Sequence, residues 1–291
     1  MLGGCEPCSI QPAFCRYGET GAAGPVLITV PHAGREYPAD LVERCRVGRA
    51  GLQALEDRHA DHLASGAVAA GHSVLVARRG RAVIDLNRHP AEIDGSSVDA
   101  IPRGVPTRSS VKLRGGLGLV PHRYHSLGEL WRSRPSYGEV ARRVADIHDP
   151  YHAQVAQTLG GLQANFGTAI LIDLHSMPPL RGHAEGKVDV VLGDRFGQSA
   201  SAAICRRAAE IVASHGFTVA INTPYAGGYT LERHGRLDRN IHALQIEIDR
   251  TLYLDADMQE PGAGAPRCIA MIADLACTLA GAQDDVPLAA E

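Results

Sequence analysis

Short, nearly unbroken apolar runs alternate along this chain with stretches in which apolar residues recur three and four positions apart. The runs predict strands at 26–30, 73–77, 82–86, 168–174, 188–192, 218–221 and 243–248. The helical spacing predicts helices between them, clearest at 52–70, 137–166, 198–215 and 268–280. Strands without polar alternation are buried on both faces, which requires helices on both sides of a sheet. The expected fold class is therefore α/β, a three-layer unit with a central mixed, mostly parallel sheet flanked by helices. Residues 89–135 break the rhythm, being rich in Pro, Gly, Arg and Ser with little periodicity. A compact unit rarely carries so long a loop unless it is functional, so this stretch is expected to form a partial lid over the site.

Composition narrows the picture further. The 291 residues, 45% of them hydrophobic, suffice for one large core, and with no internal repeat or low-complexity linker a single domain over 1–291 is expected. Basic and acidic side chains number 29 and 32, for a net charge of −3, and no basic run or aromatic platform offers itself to nucleic acid. No stretch approaches the roughly 18 apolar residues of a membrane span, and residues 1–20 lack a charged start followed by an apolar block, so a cytoplasmic protein without a membrane partner is expected. Of the seven cysteines, Cys5 and Cys8 form a CxxC, but no second pair follows at zinc-ribbon spacing, and the reading is reduced thiols.

Candidate chemistry gathers where strands end. His32 follows the run at 26–30 and His175 follows the run at 168–174, each succeeded by turn-forming or small residues. Open α/β sheets bind ligands beyond the carboxyl ends of their strands, so two histidines at equivalent strand ends point to a metal. Catalytic zinc commonly takes two histidines and one carboxylate, and the third ligand is sought in the polar stretch Glu56-Asp57-Arg58-His59-Ala60-Asp61. Spacing does not choose among Glu56, Asp57, His59 and Asp61, and the same acids also suit a helix first turn. Asn87 and Arg88 close the run at 82–86, where a guanidinium fork suits a carboxylate. On the run at 243–248, alternation puts Gln245, Glu247 and Asp249 on one face, and Glu247 is the candidate general base for water. The loop at 222–235 carries Gly227 and Gly228, which permit close backbone approach to a ligand. Gly115-Gly116-Leu117-Gly118 follows no strand and matches no nucleotide-binding spacing.

Six ordered motifs carry a resemblance: Val30-Pro31-His32-Ala33-Gly34, Asp85-Leu86-Asn87-Arg88, Asp173-Leu174-His175-Ser176-Met177-Pro178, Leu192-Gly193-Asp194-Arg195-Phe196-Gly197, Pro224-Tyr225-Ala226-Gly227-Gly228-Tyr229-Thr230 and Gln245-Ile246-Glu247-Ile248. Over about 25–254 the chain resembles the N-formylglutamate amidohydrolases. The resemblance implies a Zn2+-dependent hydrolase with a fold akin to zinc carboxypeptidases and aspartoacylases, acting on N-formyl-L-glutamate to give formate and L-glutamate. It implies His32, Asp57 and His175 as metal ligands, with Glu56 as the alternative third, and Glu247 as general base. Asn87 and Arg88 resemble the pair that holds a substrate carboxylate in carboxypeptidases, and Gly228, Thr230 and Arg233 are the further substrate-binding candidates. One stretch departs from the pattern: Arg233-His234-Gly235 stands where family members tend to read His-Tyr-Gly. Arg233 is thus a candidate second carboxylate anchor, or the pocket takes a different acyl amino acid. Two other readings stay open, a deacylase or amidase for another N-acyl amino acid or small peptide, and a non-catalytic protein that binds a metal or small molecule.

Overall fold

A computed structural model describes residues 12–180 and 187–281, so the CxxC at Cys5 and Cys8 lies outside the described residues. Its centre is a sheet of β1 (Phe14–Tyr17), β2 (Val26–Val30), β3 (Ser73–Ala77), β6 (Ala169–Met177), β7 (Val190–Gly193), β8 (Val219–Ile221) and β9 (Ile241–Asp249). The spatial order is β1-β3-β2-β6-β9-β7-β8. Strands β3, β2, β6 and β9 run parallel, β1 is antiparallel to β3, and β7 is antiparallel to β9 with β8 parallel to β7. A two-stranded hairpin, β4 (Arg123–Tyr124) and β5 (Gly128–Glu129), stands apart from the sheet. The mixed, mostly parallel sheet between helices is the expected class.

Strand alternation divides the core in two. Val26, Ile28 and Val30 with Ile170, Ile172, Leu174, Leu244, Ile246 and Ile248 face one side, where the helices Ala202–Ser214 and Ala265–Gly281 cover them. Leu27, Leu171 and Ala243 face the other, against Tyr151, Val155, Leu159 and Leu162 of the helix Asp149–Phe166. This second face changes character along the strands. Register aligns Leu27, Leu171 and Ala243, then Thr29, Asp173 and Gln245, then His175 opposite Glu247. One sheet surface thus passes from apolar core to polar site within two residue pairs.

Two expectations need correction. Residues 82–86 are not a strand: the segment is a buried series of turns in which the Val83 amide bonds to Gly80 O and the Asp85 amide to Leu119 O. Its apolar run reflects burial rather than pairing, two causes that periodicity cannot separate. The helix at 52–70 is broken, with Glu56 extended at ψ 146° and His59 left-handed at φ 58°, before helical turns resume at Ala60–Leu63 and Ser65–Ala69. Edge strand β1 carries no strong sequence signal, since Phe14-Cys15-Arg16-Tyr17 is short and only partly buried. The 89–135 stretch is a packed wall, with Leu113, Leu119, Val120, Leu130 and Trp131 buried and the Trp131 indole donating to Pro121 O at 2.7 Å. None of the five described cysteines forms a disulfide, and no helix among the described residues is long and apolar enough to cross a membrane.

Candidate active site

Strand β6 runs to Met177, so His175 lies within it and inherits the rigidity of a central strand; His32 lies just beyond β2. The break before Ala60 carries Asp57 to them, its amide donating to His32 O at 2.9 Å. The His175 Nδ1 lies 3.1 Å from His32 Nδ1 and 3.0 Å from Asp57 Oδ2, and His32 Nδ1 lies 3.3 Å from the same oxygen. All three residues are buried, and among the described residues they are the one group of three His, Cys, Asp or Glu side chains placed to hold a metal ion. Glu56 turns away, accepting from the Tyr37 hydroxyl at 2.6 Å and pairing with Arg58 at 3.3 Å. His59 bonds Gln259 O at 2.9 Å and Asp61 pairs with Arg35 at 2.7 Å, so neither joins the cluster.

The outward nitrogens explain what the inner ones are for. His32 Nε2 meets Asp85 Oδ1 at 2.7 Å and His175 Nε2 meets Asp173 Oδ2 at 2.9 Å, both carboxylates being fully buried. Ionised carboxylates only accept, so each Nε2 carries the proton and each Nδ1 presents a lone pair. Two lone pairs and a carboxylate oxygen then converge within 3.3 Å, an arrangement that repels itself unless a cation lies among them. The same field acts on protons. Against the cost of burial, Asp173 and Asp57 push the His175 imidazole well above its ordinary pKa. Asp57, despite its burial, is held well below the usual carboxylate range by His175 and His32. Donor types, tautomers and charge all fit a divalent ion.

Supporting bonds fix these carboxylates. Arg81 Nε donates to Asp85 Oδ2 at 2.7 Å, the Thr29 hydroxyl to Asp173 Oδ1 at 2.7 Å, and Arg250 Nη2 and the Ser176 hydroxyl to Asp57 Oδ1 at 3.0 and 3.2 Å. Asp85 and Asp173 sit inside otherwise apolar runs, a buried-acid signal that sequence reasoning passed over.

Glu247 lies in β9, between β6 and β7 rather than at a sheet edge, and lines the same cavity. Burial, with the negative charge of Asp57 nearby, pushes its carboxyl up to about 7, against the pull of His175 and two arginines. The Gln245 amide donates to Glu247 Oε1 at 2.9 Å, while Gln245 Oε1 accepts from the Gly228 amide at 3.0 Å and Asn87 Nδ2 at 3.3 Å. Asn87 Oδ1 in turn accepts the Thr230 amide at 2.9 Å. A Cβ on Gly228 would sit 2.3 Å from that Asn87 oxygen, so this position has no room for a side chain.

His32, Asp57, His175, Asn87, Arg88, Gly228 and Glu247 face one cavity of about 410 Å³. Arg88 bonds Leu117 O at 3.1 Å and Asn87 O at 3.0 Å, and the carbonyls flanking Asn87 are clamped from behind by His152 on Leu86 O at 2.8 Å and His148 on Arg88 O at 3.0 Å. Two of the substrate-binding candidates do not line the cavity. Thr230 is buried behind Asn87. Arg233 donates to the Tyr229 hydroxyl at 2.7 Å, with its guanidinium 5.8 Å from that ring's centre. Lining residues without a sequence signal of their own are Arg81, Lys112, Tyr124, His125 and Arg250.

Known proteins share this architecture and sequence. N-formylglutamate deformylase of Pseudomonas aeruginosa is 31% identical over 245 residues, covering 79% of this chain and 82% of its own. The enzyme of the same name from Pseudomonas putida is 30% identical over 236 residues, with the same coverages. The crystal structure of N-formylglutamate amidohydrolase from Ralstonia eutropha JMP134 superposes with a TM-score of 0.86 at 29% identity, over 94% of this chain and 99% of that one. Residues 24–254, which hold every metal-cluster and cavity residue described above, match the N-formylglutamate amidohydrolase family, and the chain belongs to that family.

Proposed function

We propose that this chain hydrolyses N-formyl-L-glutamate to formate and L-glutamate, using a divalent ion, zinc by donor chemistry, held by His32 Nδ1, His175 Nδ1 and Asp57 Oδ2. The observation that carries the reading is the convergence of those three acceptors, each histidine backed by a buried carboxylate, beside Glu247 in a cavity rich in cations. Family membership and relatives named for this activity support the substrate. Two imidazoles and one carboxylate, with room left for a further ligand, are characteristic of catalytic zinc. When bound, the ion supplies Lewis acidity toward water and the amide carbonyl.

The chain's own residues do the rest. Glu247, with a carboxyl near neutrality, takes a proton as water adds to the formyl carbon and returns it to the amine as the C–N bond breaks. Gln245 holds one carboxylate oxygen and leaves the other without a hydrogen-bond partner among the described residues. Arg88 and Asn87 bind a substrate carboxylate and so fix the amide relative to Glu247. Formate release from N-formyl-L-glutamate by protein of known metal content, beside chelated protein and N-acetyl-L-glutamate, tests the proposal. Metal-dependent formate release is expected; metal-loaded protein that releases none refutes the substrate.

A further inference from the structure

Four cations among the described residues line the cavity, Arg81, Arg88, Lys112 and Arg250, but they are not equally available. Arg81 is bound to Asp85, the carboxylate behind His32, at 2.7 Å and Arg250 to Asp57 at 3.0 Å, so both are already engaged. Arg88 uses Nε and Nη1 on backbone carbonyls and, among the described residues, comes within ion-pair reach of Asp85 alone, at 3.8 Å. Lys112 makes no ion pair among the described residues, only the more distant charges of Glu247 and Asp85 favouring its ammonium, which rests 5.5 Å from the centre of the Tyr225 ring. Partial burial, and then the like charges of Arg88 and Arg81, push that ammonium below its ordinary pKa, although the residue as a whole is exposed. Two under-neutralised cations facing one cavity are relieved by an anion between them.

The two also differ in depth. Arg88 adjoins Asn87, which bonds Gln245 beside Glu247 and lines the same cavity as both, so it flanks the reacting centre. Lys112 projects from the short helix Val111–Arg114 of the 89–135 wall toward Tyr225, which lies in the loop after β8.

We infer that Lys112 is the anchor for the side-chain carboxylate of a dicarboxylic N-acyl amino acid, while Arg88 holds the α-carboxylate next to the amide. The inference rests on the proposed amide hydrolysis at this site and assigns its selectivity. It takes from Arg233 the role of second anchor, because Arg233 is engaged with Tyr229 outside the cavity.

The test compares N-formyl-L-glutamate with its uncharged isostere N-formyl-L-glutamine in metal-loaded wild type, Lys112→Met and Lys112→Arg. Lys112→Met should lose about 10- to 100-fold in kcat/KM on the glutamate substrate, chiefly through KM, and less than about fivefold on the glutamine one. Lys112→Arg should recover most of the loss. Equal loss on both substrates, or none on either, overturns the inference while leaving the hydrolase reading intact. Calorimetric binding of L-glutamate and L-glutamine to the same proteins gives a readout independent of turnover. If no protein releases formate, the activity proposal fails, and Lys112 is still judged by whether Lys112→Met weakens glutamate binding selectively; unchanged glutamate affinity refutes it.

Discussion

The two halves of this cavity are built differently. One half is strand-borne: His175 on β6 and Gln245 and Glu247 on β9 sit in adjacent register pairs of the central sheet, flanked by apolar rows. The other half lies off the sheet: Asp57, Asn87, Arg88 and Gly228 come from irregular segments and Lys112 from the one-turn helix Val111–Arg114, held by turns, side-chain clamps and the 89–135 wall. A central strand cannot shift by one residue without turning every side chain to the opposite face, so it suits groups that must stay within tenths of an ångström. Loops vary in length and direction at little cost to the core, so they suit groups that define which substrate fits. On the proposed function the division assigns chemistry to the strands and selectivity to the loops, with two exceptions, His32 in the turn just beyond β2 and Asp57, a loop residue drawn to it by a bond to His32 O.

The largest effect should come from the strand side. His175→Ala is expected to lose bound metal and to reduce formate release by roughly a thousandfold or more. Metal analysis and a thermal melt run together separate loss of the ion from loss of the fold, since the change also leaves Asp173 buried without its partner. Glu247→Gln should keep the metal yet lose about 100- to 10,000-fold in kcat, the range of general acid–base catalysis. Near-normal turnover in that variant would remove Glu247 from proton transfer. On the loop side, Arg88→Ala should raise KM for acidic substrates by about 10- to 100-fold with kcat much less affected. A kcat loss as large as that of Glu247→Gln would erase the proposed division.

A smaller effect concerns the clamp behind the loop half. His152 and His234 are bonded at 2.9 Å; because Leu86 O can only accept, His152 donates from Nε2 and receives the His234 proton at Nδ1. Burial, with neighbouring positive groups, pushes His152 well below its ordinary pKa and His234 down to about 3. The unfolded chain therefore binds more protons than the folded one below the ordinary histidine pKa, and stability falls as pH drops from about 6.5. For His234 alone the loss between pH 7.5 and pH 5 is about 2 kcal/mol. Urea midpoints at the two pH values check this, and His234→Gln should flatten the difference.

What could be read from the chain follows the same division. Strands β2, β3, β6, β7, β8 and β9 were legible to within a few residues because buried β-branched runs have few other uses. The same logic failed at 82–86, where a buried turn has the composition of a strand, and at 52–70, where helical spacing on both sides hides the break that positions Asp57. The residues brought together as His32, Asp57, His175, Asn87, Arg88 and Glu247 were named from strand ends, alternation and the family resemblance. Arg233 was misplaced because distance along the chain says nothing about which side of Tyr229 the guanidinium takes. Lys112 was invisible for a related reason: a lone lysine in a Pro- and Gly-rich stretch has meaning only once the 89–135 wall folds over the cavity.

On the proposed function, His32, Asp57 and His175 form one metal site on which turnover depends. Titrating the chelated protein with zinc while following formate release from N-formyl-L-glutamate puts that dependence to the test. Activity should rise linearly and level off at about one zinc per chain, with no rise in His175→Ala. Full activity in protein stripped of metal, or a zinc response unchanged in His175→Ala, would contradict the claim.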